Sequence, residues 1–360
     1  MKKYRVGVIG ATGMVGQRFV SLIVDHPWFE LCAVAASVRS AGKTYEDAVS
    51  GRWMMTSPVP EAAKRLKVMT AETDIAAIAD SVDFVFSAVD MKKDEIKALE
   101  EAYAKAECPV VSNNSAHRQT PDVPMVIPEV NPEHFEVIAH QRKRLGTERG
   151  FIAVKSNCSI QSYVPALHPL KDKFGLRRAL VCTYQAISGA GKTFETWPEM
   201  VDNVIPYIGG GEEEKSEQEP LKVWGSIQNG EIVHSAGPEI TAQCIRVPVT
   251  DGHMAAVFME FERKPEVEEI KREWLEFKSL PQELRLPSAP ERFLHYFEEE
   301  NYPQTKLHRM LEGGMAVSLG RLRECSQYDY KFIGLSHNTM RGAAGGAVLL
   351  AELLCAQGYI

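Results

Sequence analysis

Gly10-Ala11-Thr12-Gly13-Met14-Val15-Gly16 lies between an apolar run, Tyr4 to Ile9, and a stretch with helical periodicity, Val15 to Val24, that Pro27 stops. This order of strand, glycine turn and helix constrains the chain more than any other feature. Glycines allow the sharp turn, and the unpaired N–H groups of the following helix start then face a negatively charged ligand. The spacing is a G-x-x-G-x-x-G variant of the fingerprint that cradles a dinucleotide pyrophosphate at the first β–α turn of a parallel sheet. A glycine turn without a ligand is the competing reading, and the flanking elements weigh against it.

An NAD site carries Asp or Glu about 20 residues further on, bonded to the ribose 2′-hydroxyl. Here Ala36 and Ser37 hold that place, followed by Arg39, Ser40 and Lys43. Hydroxyls and cations suit a 2′-phosphate, which an acid would repel, so NADP is the expected cofactor.

The rest of the first half keeps the same rhythm. Glu30 to Ala36, Asp83 to Val89 and Pro109 to Ser112 read as strands, Lys92 to Ala106 as a helix, and Pro121 to Pro132 as ordered coil ending in an Asn131 cap. Alternation of this kind predicts a parallel sheet wrapped by helices, an α/β Rossmann-type domain over 1–156. The second half differs. Arg178 to Ile187, Thr241 to Val249 and His253 to Glu262 read as strands, with Asp251-Gly252 as a hairpin signal between the last two. That predicts an α+β domain over 157–337, with helix at Val267 to Phe277 and a C-terminal helix, Arg341 to Cys355, returning with 338–360 to the first domain.

Composition narrows the function. With 41 Lys+Arg against 48 Asp+Glu the formal charge is −7 over 360 residues, a poor match to a general nucleic-acid binder. Seven cysteines, odd in number and without a CxxC, fit neither a disulfide framework nor a zinc ribbon. Ten histidines form no H-E-x-x-H, so no metal is expected. The N-terminus lacks the apolar core of a signal peptide, and the apolar tail is interrupted by Glu352, so a soluble cytoplasmic protein without a membrane partner is expected.

One cysteine stands apart. Ser156-Asn157-Cys158-Ser159 places Cys158 behind two capping residues and ahead of an apolar run, Ile160 to Leu167, so it is expected in the first turn of a helix, where free N–H groups lower a thiol pKa. Pro165 falls inside that helix and predicts a kink or an early end. A buried structural cysteine is the alternative. Arg246 and His253 form a second candidate pair: in a two-residue hairpin they share a face, bringing a carboxylate-forking cation beside a titratable base. Ala186 to Thr193 nearly matches a P-loop but has Ala at the first glycine. A loop offering N–H groups to a second part of the dinucleotide is preferred. The runs Glu212-Glu213-Glu214 and Arg142-Lys143-Arg144, taken alone, read as solvated surface.

Together, GATGMVGQ, SNCS at Cys158, TYQAISGAGK at Gln185, EEEK at Glu212, RVPVTDGH from Arg246 to His253 and SHNTMRGAAGG near the end resemble aspartate-semialdehyde dehydrogenase, closest in form to its archaeal and fungal branch. The resemblance covers essentially the whole chain. It implies reversible, NADP-dependent reductive dephosphorylation of L-aspartyl 4-phosphate to the 4-semialdehyde, in biosynthesis of lysine, methionine, threonine and isoleucine. Cys158 would be the nucleophile that forms a thioester, His253 the acid/base, and Gln185 the orienting group. Arg246 would grip the substrate α-carboxylate and Glu212 its amino group, a choice over Glu213 that stays open by one position. Arg118 and Lys215 would bind phosphate. Gly10, Thr12, Gly13, Met14 and Val15 would wrap the pyrophosphate, with Ser37 and Ser40 near the 2′-phosphate. Ser87, Ser188, Gly189 and Asn338 would complete the cofactor site. A homodimer or homotetramer is implied. A malonyl-CoA reductase or related thiol acyl reductase is the nearest alternative. N-acetyl-glutamyl-phosphate reductases would call for Gly-Cys-Tyr at the nucleophile, and an NADP-binding sensor is the non-enzymatic reading.

Overall fold

In the computed structural model, which describes residues 3–360, the first half forms a seven-stranded parallel sheet. Its strands are β1 (Tyr4–Ile9), β2 (Phe29–Ala36), β3 (Val68–Thr70), β4 (Phe84–Ser87), β5 (Val110–Ser112), β6 (Met125–Val126) and β7 (Ile152–Lys155), in the order β3-β2-β1-β4-β5-β7-β6. Chain order reverses at β1, which pairs with β2 on one side and β4 on the other. The glycine turn leaves the C-terminal end of β1 at this switch point, where a crevice opens in a doubly wound sheet. The short β6 lies in the segment read as coil; two residues, Met125 and Val126, are too few for a periodic signal.

Helix α1 (Met14–Ile23) follows the turn and buries Phe19, Val20 and Ile23. Phe19 stacks on Phe86 of β4 at 4.5 Å between ring centroids, and burying such a side chain contributes about 1.5–3 kcal/mol. The same layer holds the C-terminal helix, which returns to the first sheet and packs against α1, β5 and β7. It starts later than its periodicity predicts, at Gly345. Met340–Ala344 forms a wide turn in which Ala343 leaves helical geometry.

The second half is built on a six-stranded mixed sheet. After β8 (Leu176–Gln185) and a separate two-stranded ribbon, β9 (Ser226–Gln228) with β10 (Glu231–Val233), come β11 (Glu239–Arg246), β12 (His253–Phe261), β13 (Leu294–Phe297), β14 (Val317–Glu324) and β15 (Tyr330–Ser336). The sheet order is β11-β8-β12-β15-β14-β13.

This overturns the hairpin expected at Asp251-Gly252. β11 and β12 do not pair; β8 lies between them, parallel to β11 and antiparallel to β12. β11 ends at Arg246, and the connection runs along the end of β8 instead of folding back. Val247 N–H donates to Gln185 O at 3.0 Å, and Ile187 N–H to Val249 O at 2.9 Å. Main-chain partners supplied by β8 thus outweigh the local turn signal.

The second helix correction concerns Cys158. A single tight turn, Ser159–Ser162, follows it, and the long helix α2 (Val164–Phe174) begins only afterwards. Pro165 therefore sits in the first turn of α2, where its missing N–H has no intrahelical partner to lose. Helix α3 (Glu212–Val223) lies over the end of this sheet, against β11 and the Cys158 turn. Among the described residues no helix is long and apolar enough to cross a membrane, and no group of three or more His, Cys, Asp or Glu is placed to hold a metal ion.

Candidate active site

Two cavities flank the glycine turn. The first, about 240 Å³, is bounded by Gly10, Thr12, Gly13, Ala36, Ser37 and Arg52, among others. Gly10 has φ +82°, and a Cβ there would stand 2.3 Å from Ala88 O; at Gly16 it would stand 2.1 Å from Gly10 O. These two glycines are required by close packing. At Gly13 the nearest atom to a Cβ is 3.7 Å away, so the backbone just before α1 is open to a ligand. An open helix start with hydroxyls and a cation alongside fits a phosphorylated dinucleotide.

The two serines expected near the 2′-phosphate differ in the folded chain. Ser37 borders the cavity, whereas Ser40 is buried and its hydroxyl accepts from Arg52 Nη2 at 2.9 Å. Arg52 Nε also donates to Ala48 O at 2.8 Å. The fixed cation at this edge is Arg52, which lies beyond the window where sequence reading searched. Ser87 borders neither cavity; it is fully buried and its hydroxyl accepts from Asn114 Nδ2 at 3.0 Å.

The second cavity, about 150 Å³, joins Met14 and Val15 of α1 to Cys158, Arg118, Gly189 and Asn338. Ser188 also borders it. Asn157 Oδ1 accepts from Ser159 N–H at 2.7 Å and caps the turn that carries the thiol. Asn338 ties two loops: its Oδ1 accepts from Gly252 N–H and its Nδ2 donates to Ser188 Oγ, both at 2.8 Å.

From the far side the second sheet brings Gln185, Arg246 and His253 to one end. Arg246 lies opposite Gln185 in register, and Met254 opposite Tyr184, so His253 continues the same row. Both Arg246 and His253 are buried and both reach Gly189: a Cβ on that glycine would stand 2.8 Å from Arg246 Nη1 and 3.0 Å from His253 Nε2. The shared face expected for this pair is present, produced by β8 and not by a hairpin. Arg246 Nη1 donates to Ala186 O at 2.7 Å.

His253 Nδ1 accepts from Ala186 N–H at 3.0 Å. Burial, then the Arg246 guanidinium, hold the imidazole well below the ordinary histidine range, so the ring is neutral. A neutral ring whose Nδ1 accepts carries its proton on Nε2, and Nε2 has no partner in the protein. It is a free donor beside Gly189.

The thiol runs against expectation. Burial, then the Glu212 carboxylate, push Cys158 up; Lys155, Arg118 and Arg246 oppose them in that order. The lowered pKa inferred from a helix start does not hold, because a single tight turn offers little dipole while the site is desolvated. Lys155 at the end of β7 is itself pushed down to about 7 by burial. Its Nζ donates to Ser156 O at 2.7 Å.

Helix α3 resolves the acidic run. Glu212 turns inward: its Oε1 accepts from Asn157 Nδ2 at 3.0 Å and Gln185 Nε2 at 3.1 Å. Glu213 faces β11, where it accepts from Cys244 N–H at 3.2 Å. Lys215 Nζ lies 3.6 Å from Glu212 Oε2 and does not border the cavity. Sequence reading missed Glu219, which is 1% exposed and bonds both Arg118 and Asn157 N–H. Its signal was present as the i, i+4, i+7 stripe of Glu212, Ser216 and Glu219.

The chain matches two sequence families, described as "Semialdehyde dehydrogenase, NAD binding domain" over residues 5–138 and "Semialdehyde dehydrogenase, dimerisation domain" over 167–341. Aspartate-semialdehyde dehydrogenase of Methanothermobacter thermautotrophicus is 43% identical over 97% of this chain and 98% of that protein. The enzyme of Aspergillus fumigatus is 43% identical over 99% of each. The crystal structure of the Candida albicans enzyme with NADP superposes with a TM-score of 0.88 at 38% identity, covering both chains completely. Likeness of this extent, over a site that joins a glycine turn to a cysteine, an arginine and a histidine, shows that the chain belongs to the aspartate-semialdehyde dehydrogenase family.

Proposed function

We propose that this protein is an NADP-dependent aspartate-semialdehyde dehydrogenase that interconverts L-aspartyl 4-phosphate and L-aspartate 4-semialdehyde through a thioester on Cys158. The observation that carries the reading is the shared cavity: Cys158, Arg118 and Gly189 border the same space as the start of α1, while Arg246 and His253 reach Gly189 from behind.

The first cavity and the glycine turn would hold the adenosine half and pyrophosphate of NADP, with Arg52 and Ser37 at the 2′-phosphate. Met14, Val15, Ser188, Gly189 and Asn338 would border its nicotinamide half. When bound, the reduced dinucleotide supplies the hydride. In the reductive direction Cys158 reacts as its thiolate, which the end of each cycle regenerates: Sγ attacks the acyl carbon, the S–C bond forms, and the C–O bond to phosphate breaks with its electron pair leaving on phosphate. Phosphate leaves toward Arg118, with Lys215 as the second phosphate cation the family resemblance implies. Thioester chemistry suits sulfur, which is both a strong nucleophile and a good leaving group. His253 Nε2–H donates to the substrate oxygen as it gains charge, a fixed donor in a dry site. After reduction the C–S bond breaks, the aldehyde forms, and the Cys158 thiolate returns. Arg246 forks the α-carboxylate, Glu212 takes the amino group, and Gln185, held by Glu212, orients the acyl group.

Small anionic substrates explain the cations at Arg118, Lys215 and Arg246 in an acidic chain. The outward face of the second sheet carries half-buried Leu180, Cys182, Tyr184, Met254, Ala256 and Phe258, and a second copy of the chain is the occupant we infer for it. Light scattering giving only a monomer would remove that part of the reading.

The test is phosphate-dependent NADP reduction with aspartate semialdehyde, beside malonyl-CoA-dependent NADPH oxidation. Activity in the first assay, lost in Cys158→Ala with NADP binding intact, is expected. Turnover retained in that variant, or activity only with malonyl-CoA, sinks the proposal.

A further inference from the structure

Helix α3 offers the site more than Glu212. Three residues later than Ser216, which bonds Ser159 Oγ at 3.2 Å, comes the buried Glu219. Its Oε1 accepts from Arg118 Nη1 at 3.0 Å and its Oε2 from Asn157 N–H at 2.6 Å, one carboxylate bridging an arginine and the main chain just ahead of Cys158. Arg118 is held from two further directions, Nε donating to Lys155 O at 3.0 Å and Nη2 to Asn113 O at 3.4 Å. Of its five N–H groups, one on each terminal nitrogen stays uncommitted, and Arg118 borders the cavity. Behind it, the Lys222 ammonium of the same helix donates to the carbonyls of Arg118, Thr120 and Val123 at 2.7, 2.7 and 3.0 Å. Helix α3 thereby fixes both the side chain and the backbone of this arginine.

We propose that Glu219 is a positioning residue: by clamping Arg118 to the backbone of Asn157, it aims the two free guanidinium N–H groups at a tetrahedral oxyanion beside Cys158 and so sets the protein's affinity for phosphate. The inference rests on the reading of Arg118 as the phosphate ligand. A fully buried carboxylate next to an anion site lowers the net attraction, so its presence needs a geometric reason, and preorganisation of a forked donor supplies one. Glutamine cannot replace it. Its amide would present N–H to one of two partners that are themselves donors, freeing either Arg118 or the Asn157 amide.

The experiment is a ³¹P NMR titration of inorganic phosphate into the NADP-loaded protein, wild type against Glu219→Gln and Glu219→Asp, with steady-state kinetics alongside. At least a tenfold weaker phosphate affinity is expected in Glu219→Gln, with the KM for phosphate rising while that for NADP stays within twofold. Glu219→Asp keeps the charge but shortens the arm, and the same direction of loss is expected there; it serves if the glutamine variant does not fold. Equal phosphate affinity in wild type and either folded variant overturns the proposal, as does wild-type protein that binds no phosphate. Phosphate binding lost in the variants from a wild type without dehydrogenase activity leaves this inference standing and removes the assigned reaction instead.

Discussion

A Cβ added to Gly342 would stand 2.8 Å from the Cβ of Cys158 and 3.3 Å from its Cα. The Cys158 side chain therefore rests on bare backbone in the wide turn that leads into the C-terminal helix, and both residues border the same cavity. Contact that close forces one side to move. Gly342→Ala is expected to displace Cys158 and lower kcat at least tenfold, while NADP binding, measured by fluorescence titration, changes little. Unaltered kcat would mean that the thiol tolerates the shift.

The charge on Glu212 opposes thiolate formation at Cys158, second only to burial. Removing it lowers the thiol pKa. Glu212→Gln is expected to move the midpoint of iodoacetamide alkylation against pH downward, even as affinity for the amino-acid substrate falls. A midpoint that stays or rises contradicts the electrostatic assignment.

Arg52 stands beside Ser37 in the first cavity, braced by Ser40 and Ala48. Loss of a charge-assisted bond costs about 1.5–3 kcal/mol, roughly 10- to 100-fold in affinity. Arg52→Ala is expected to weaken NADPH by that factor and leave NADH within about threefold. Parallel losses for both cofactors would place the role of Arg52 in folding instead.

Lys155 is 2% exposed and its amine is pushed down to about 7, against an ordinary value of 10.5. Between these values the unfolded chain binds more protons than the folded one, so this residue makes stability rise with pH from about 7 to about 10.5. Below about 7 the full cost of a buried ammonium is present. Lys155→Met lacks that cost. Its melting temperature is expected to exceed that of the wild type most at pH 6–7, with the gap closing toward pH 10. A constant gap across that range would show that Lys155 does not titrate in the folded protein.

Much of this protein is legible in one dimension. The glycine turn, its strand and its helix announce themselves by local pattern, although pairing with β2 and β4 and the packing of Phe19 on Phe86 hold them in place. Cys158 was marked by its capping residues, and Arg246 with His253 by proximity and residue type, although the hairpin invoked to join them does not exist. The bond between Arg52 and Ser40 spans 12 residues, and no pattern announces it. Asn338 meets Ser188 across 150 residues, and Arg118 meets Glu219 across 101. The sign of the Cys158 pKa shift also lay beyond sequence, since it depends on desolvation and on Glu212 arriving from another helix.

Sequence alone determined the family to which the chain belongs and the type of sheet that holds the dinucleotide turn. Tertiary structure decided which cation borders the first cavity, which glutamate turns inward, and which tautomer His253 presents. Those choices are set by packing and low-dielectric electrostatics between distant segments, whose strength depends on distance and burial in space and has no counterpart along the chain.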